Sequence, residues 1–115
     1  MIVEERQYSL APRNKSAFWA NYLAAGLPVQ SRFLPAPLGF FFVDLGHTSC
    51  FVHMWAYRNY AHREDCRDAL EQCEAWHRYM TSAHAYIESI EIRILKALPN
   101  EYAFLGRAVP EFDDA

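Results

Sequence analysis

Residues 49–57, Ser-Cys-Phe-Val-His-Met-Trp-Ala-Tyr, constrain the fold more than any other segment, being strand-forming, free of formal charge and apolar on both faces. In a strand alternate side chains point to opposite faces. One set is Cys50, Val52, Met54 and Ala56, small and aliphatic and suited to packing beneath helices; the other is Phe51, His53, Trp55 and Tyr57. Residues 38–45 divide the same way, into Phe41, Val43 and Leu45 against Phe40, Phe42 and Asp44. A four-residue turn over 45–48, containing Gly46-His47-Thr48, makes the two runs an antiparallel hairpin with Phe42 opposite Phe51 and Phe40 opposite His53. The expectation is that helices cover the aliphatic face and leave an aromatic floor open on the other.

Residues 2–10 alternate and carry β-formers until Pro12-Arg13-Asn14 breaks the strand. The spacing of Phe18, Tyr22 and Ala25, with Trp19 and Leu23, predicts a helix over 15–25, capped by Asn14 and closed by Gly26 in the left-handed region. Pro28, Pro35 and Pro37 mark a loop. Residues 62–73 read as a surface helix with Cys66, Ala69, Leu70 and Cys73 on its apolar side, and 74–84 as a second helix. Residues 86–96 alternate again, with Ile90, Ile92 and Ile94 on one face and Glu91 and Arg93 on the other. The order β-α-β-β-α-β is the ferredoxin-like α+β arrangement, a four-stranded antiparallel sheet with helices on one face. Residues 1–99 form the domain, and 100–115 a tail carrying Phe104, Leu105, Val109 and Phe112.

At 115 residues the chain has room for one core. Its 52% hydrophobic and 16% aromatic content excludes disorder, and an uncovered aromatic floor exceeds the apolar patch that monomers tolerate. A second copy is the economical cover, since a homodimer can close two sheets into a barrel with room for one small ligand. The net charge of −3 and the absence of a Lys or Arg block argue against nucleic acid. Acidic residues near the start, and no apolar run approaching about 20 residues, argue against a secretory signal or membrane span. Cys50, Cys66 and Cys73, without a CxxC pair, read as free thiols, so a cytoplasmic location is expected.

Several segments resemble the NIPSNAP family: the opening Ile2-Val3-Glu4-Glu5-Arg6-Gln7-Tyr8-Ser9-Leu10, Gly26-Leu27-Pro28-Val29-Gln30, Leu38-Gly39-Phe40-Phe41 and above all Val52-His53-Met54-Trp55-Ala56-Tyr57. Arg63, Arg67, Ala69-Leu70, Trp76 with Tyr79, and Arg93-Ile94-Leu95 extend the likeness to residues 1–98. The resemblance implies a dimeric α+β barrel, a superfamily in which cofactor-free cyclases, isomerases and monooxygenases occur. Asn14 in place of a glycine at the strand-to-helix turn, Pro35 and Pro37 in the loop, and the tail after Pro99 depart from the pattern.

His53 among Phe40, Trp55 and Tyr57 is the candidate acid or base, because imidazole titrates near neutrality. Tyr57 is the candidate donor to a developing oxyanion. Phe40, Phe42, Phe51 and Trp55 are expected to line the substrate site, with Glu5 and Gln7 pointing into the barrel and Asp44 at its mouth. His62, Cys66, Cys73 and His77 have metal-ligand spacing, but on one continuous helix they would span about 22 Å at about 1.5 Å per residue and could not converge on one ion. No metal and no cofactor are therefore expected. Haem is the alternative, with His53, His77 or His84 as iron ligands. The function expected is cofactor-free acid–base cyclisation or isomerisation of an apolar, aromatic or polyketide-like small molecule. The rivals are cofactor-independent oxygenation and a non-catalytic ligand-binding or scaffold role.

Overall fold

Four strands pair in the order β2-β3-β1-β4, all antiparallel, in a computed structural model that describes residues 1–107. They are β1 (Ile2–Ser9), β2 (Pro37–Phe42), β3 (Cys50–Tyr57) and β4 (Ser89–Lys96). Between β1 and β2 run α1 (Lys15–Asn21), a π turn (Tyr22–Gly26) and α2 (Leu27–Phe33). Between β3 and β4 run α3 (Tyr60–Glu71) and α4 (Glu74–Ala83), and a short α5 (Asn100–Ala103) follows β4. This is the expected ferredoxin-like fold with its helices on one face. The hairpin register is also as expected, Phe42 opposite Phe51 and Phe40 opposite His53.

The helices cover the face opposite to the one expected. Phe51, His53, Trp55 and Tyr57 are buried to 1% exposure or less, in one core with Phe18, Tyr22, Leu70, Trp76 and Tyr79 from the helices. Both faces of β3 are apolar, so polarity alone does not orient the sheet; bulk does. The layer between sheet and helices must be filled to the density of an organic crystal, and the large rings fill it. Tyr8, Phe18 and Phe51 show the packing, with ring centroids 5.0 to 6.2 Å apart. The uncovered face carries Val3, Phe41, Val52, Met54 and Leu95 beside a Glu5–Arg93 ion pair.

The first helical segment also departs from expectation. Gly26 has φ −84°, and the helix continues through the π turn into α2 instead of stopping there. Pro28 sits in the first turn of α2, where the widened turn before it accommodates a ring and a missing N–H that would disrupt a regular helix. Asn14 makes no side-chain cap; a 3₁₀ turn, Pro12–Asn14, leads into α1 instead. Asn59 does cap α3, its side chain accepting from the His62 amide at 2.8 Å, which starts that helix two residues before the apolar spacing does. In the tail, Phe104 and Leu105 follow α5, while Val109 and Phe112 lie outside the described residues.

Gly26 is required by close approach. A Cβ there would stand 2.6 Å from Tyr79 Cζ and 2.7 Å from Tyr22 Cδ1, so the first helical segment meets α4 where only hydrogen fits. Gly26→Ala should displace one ring and cost about 1 to 3 kcal/mol, the range for overpacking. Thermal denaturation checks it: the midpoint should drop by several degrees, and an unchanged midpoint would show that the rings move freely.

A candidate functional site between sheet and helices

The helix-facing row of β1 is Ile2, Glu4, Arg6 and Tyr8, and that of β3 is Tyr57, Trp55, His53 and Phe51, paired in that order. Glu4 therefore lies opposite Trp55 and diagonal to both His53 and Tyr57, within about 7 to 8 Å at the backbone. Arg6 lies opposite His53. Glu4 is fully buried, and its Oε2 accepts from Arg63 Nε at 2.6 Å, with Arg63 Nη2 at 2.5 Å and Arg6 Nη1 at 3.6 Å. Arg67, one turn further along α3, also faces inward, and its Nη2 lies 3.4 Å from Glu71 at the rim. Among the described residues, Glu4 Oε1, His53 Nε2, Tyr57 Oη and Arg67 Nη1 are buried without a hydrogen-bond partner.

The protonation state of His53 follows from its neighbour. Trp55 Nε1–H donates to His53 Nδ1 at 2.8 Å, and an indole nitrogen can only donate. Nδ1 is thus unprotonated, and the neutral ring carries its proton on Nε2. Burial, and then the cations Arg6 and Arg67, hold the pKa well below the ordinary 6.5, so the ring is neutral at pH 7. The imidazole is packed by Tyr8 and Phe51 at 4.9 Å and Phe40 at 6.4 Å. With Nδ1 engaged by the indole, His53 presents a hydrogen-bond donor at Nε2, which is the donor side of the acid-or-base role expected from sequence. Burial, reinforced by Glu4, pushes the Tyr57 hydroxyl above its ordinary range, so it too stays protonated.

Beside this polar layer lies an open aromatic pocket of about 340 Å³ lined by Trp19, Phe40, Phe41, Phe42 and Phe51. Its volume lies at the small end of the range for ligand sites, about 300 to 1,000 Å³. Lys15 Nζ stands 5.7 Å from the Phe42 ring centroid. Tyr22, whose ring packs against Phe40, Phe51 and His53, donates from Oη to the fully buried Gln30 Oε1.

The structure thus gathers Phe40, Phe42, Phe51, His53, Trp55 and Tyr57 in one layer, on the helix side of the sheet. Glu5 and Gln7 do not join them, because their parity on β1 turns them to the open face, where Glu5 accepts from Gln7 at 2.8 Å and from Arg93. Asp44 is exposed in the β2–β3 loop. Glu4, Arg6, Arg63 and Arg67 were missed. The available signal was that β1 carries charge on both faces, so one charged row had to lie beneath the helices. The chain does break between α3 and α4, yet among the described residues no three His, Cys, Asp or Glu form a metal-holding group. Of the histidines considered for iron, His77 Nε2 is engaged by the Glu71 carbonyl and His84 is exposed; His53 is buried. No helix among the described residues is long and apolar enough to cross a membrane.

A ferredoxin-like α+β domain with an ionic and aromatic layer buried between sheet and helices is the class that this geometry defines. The NIPSNAP family profile matches residues 3–100, and the chain belongs to that family. It is 33% identical over 99 residues to Protein NipSnap homolog 2 of Danio rerio, an alignment covering 86% of this chain and 34% of that protein. The chain therefore spans about a third of the length of that relative. A crystal structure of a NIPSNAP-like domain protein from Burkholderia xenovorans superposes with a TM-score of 0.84 at 26% identity, covering 97% of this chain and 94% of the other. A structure described as an antibiotic biosynthesis monooxygenase shares the fold, with a TM-score of 0.59 at 19% identity, 86% of this chain and 100% of that one.

The His53 assignment has a pH signature. The folded chain binds a proton at His53 less readily than the unfolded chain, so below about pH 6.5 the unfolded state takes up more protons and stability falls. Above that range this contribution is constant. His62, also lowered by burial, acts with the same sign. His53→Gln should flatten the decline between pH 7.5 and 5, by at most about 1.4 kcal/mol per pH unit, in urea titrations at the two pH values. An unchanged slope would mean that His53 protonates in the folded state as easily as in the unfolded one.

Proposed function

We propose that this chain is a small-molecule enzyme that moves protons next to a carbonyl on an aromatic substrate, without a cofactor. One observation carries it: an unpartnered buried donor, His53 Nε2–H, and an unpartnered buried acceptor, Glu4 Oε1, occupy diagonal positions in one layer. The aromatic pocket takes the substrate body. Glu4 Oε1 accepts the proton from the carbon next to the carbonyl, the electron pair moves onto the carbonyl oxygen, and His53 Nε2–H stabilises that oxyanion with Tyr57 Oη beside it. Return of the proton to a different carbon gives an isomer. A neutral imidazole suits this role, since it donates without surrendering its proton.

Solvent deuterium exchange into the methyl group of 2-acetylnaphthalene, followed by mass spectrometry, tests the proposal. Wild type should exceed the buffer rate, Glu4→Gln should abolish the excess, and His53→Ala should lower it by roughly 10²-fold. Exchange at the buffer rate with the ketone bound would overturn it. The fold shared with a monooxygenase favours oxygenation of an electron-rich aromatic in the same pocket as the second reading, which oxygen uptake with 1-naphthol would reveal.

The open sheet face supports a homodimer. Phe41 is 56% and Leu95 38% exposed there, flanking the half-buried Val52 and Met54. Such a strip in water favours a second copy, and the two sheets would then face one another. Sedimentation should give twice the chain mass of 13.4 kDa. Met54→Asp should yield a folded monomer, whereas Phe51→Asp, in the helix-covered core, should unfold the chain. A wild-type monomer at micromolar concentration would refute the dimer.

A further inference from the structure

We infer that the buried layer beneath α3 is an anion subsite, and that the ligand of this chain carries a carboxylate on an aromatic body. The inference rests on the pocket being a ligand site and adds the charge of what it takes.

The ionic inventory of the layer does not balance. Arg6, Arg63 and Arg67 have side chains 6%, 18% and 13% exposed, against one buried carboxylate, Glu4. Glu64 and Glu71, which meet Arg63 and Arg67 at the rim, are 60% and 54% exposed and largely solvated. Sequestered guanidinium without a counter-charge is costly, and a bound anion would supply that charge. The hydrogen-bond inventory is lopsided in the same direction. Arg67 Nη1 and His53 Nε2–H are buried donors without acceptors, against Glu4 Oε1 as the acceptor without a donor, and the unpartnered Tyr57 Oη can also donate.

An acceptor-rich group of single negative charge meets both deficits. A carboxylate offers about four lone-pair sites and no donor, and matches the planar guanidinium. A carboxylate removes one of the two surplus charges, and Glu64 and Glu71 at the solvated rim screen the other. The aromatic body follows from His53, at the meeting of the two compartments. Phe40 and Phe51 pack against its ring and line the pocket, while Arg6 is its partner across the β1–β3 ladder.

Calorimetric titration of the full chain with 2-naphthoate, its neutral isostere 2-naphthamide, 2-acetylnaphthalene and 1-naphthyl phosphate tests the inference. Naphthoate should bind at least tenfold more tightly than the amide, and Arg67→Met should erase that preference. Should Arg67→Met fail to fold, the wild-type preference decides, since acid and amide differ chiefly in charge. Equal binding of acid, amide and ketone overturns the anion subsite while leaving the pocket a ligand site. So does a preference that survives in Arg67→Met, and tighter binding of the phosphate overturns the carboxylate. Failure of all four to bind overturns the pocket and the subsite together.

Discussion

The buried carboxylate of Glu4 is the interaction on which the arrangement of the core depends. It lies on the central strand β1, and Arg63 of α3 meets it with two nitrogens at 2.5 and 2.6 Å. Breaking such a pair by removing one partner costs about 3 to 5 kcal/mol, because the other charge stays buried. The pairing therefore fixes the rotation of α3 over the sheet. Once Arg63 is held, Arg67 one turn later must also face inward, and its field adds to that of Arg6 around His53. Burial is the first cause of the neutral histidine, and the cations gathered around the carboxylate add to it.

Trp55 completes that arrangement from within β3. Two residues apart on one strand, its indole and the imidazole share a face, and the 2.8 Å bond between them assigns the proton to Nε2. Histidine is usually valued for moving protons in both directions near neutrality. Here burial and a donor-only neighbour remove that versatility and leave a polar N–H of fixed direction. Glu4 Oε1 is then the accepting group in the layer.

Much of this architecture was legible in the sequence. The alternation in β3 and β4 and the cross-strand partners of His53 and Phe51 followed from period-two patterning. The face of the sheet did not, because Cys50, Val52, Met54 and Ala56 are as apolar as the rings opposite them, and only packing volume separates the sets. Reversing the face removed Glu5 and Gln7 from the site and brought in Glu4 and Arg6. Charges on a strand read as solvent-facing until a partner such as Arg63, 59 positions away, is known. The helix passing through Gly26 was hidden for a related reason: glycine followed by proline signals a stop, and the contact with Tyr79 that makes glycine necessary is not local.

The fixed imidazole has a stereochemical consequence. A carbonyl oxygen that accepts from Nε2–H must present one lone-pair lobe to it, and the aromatic wall of Phe40 and Phe51 limits how the plane of the molecule can turn. In the proposed reaction Glu4 would approach from the β1 side and so meet a single prochiral face of the carbon beside that carbonyl. Chirality in the product would then be set by a tryptophan that never touches the substrate.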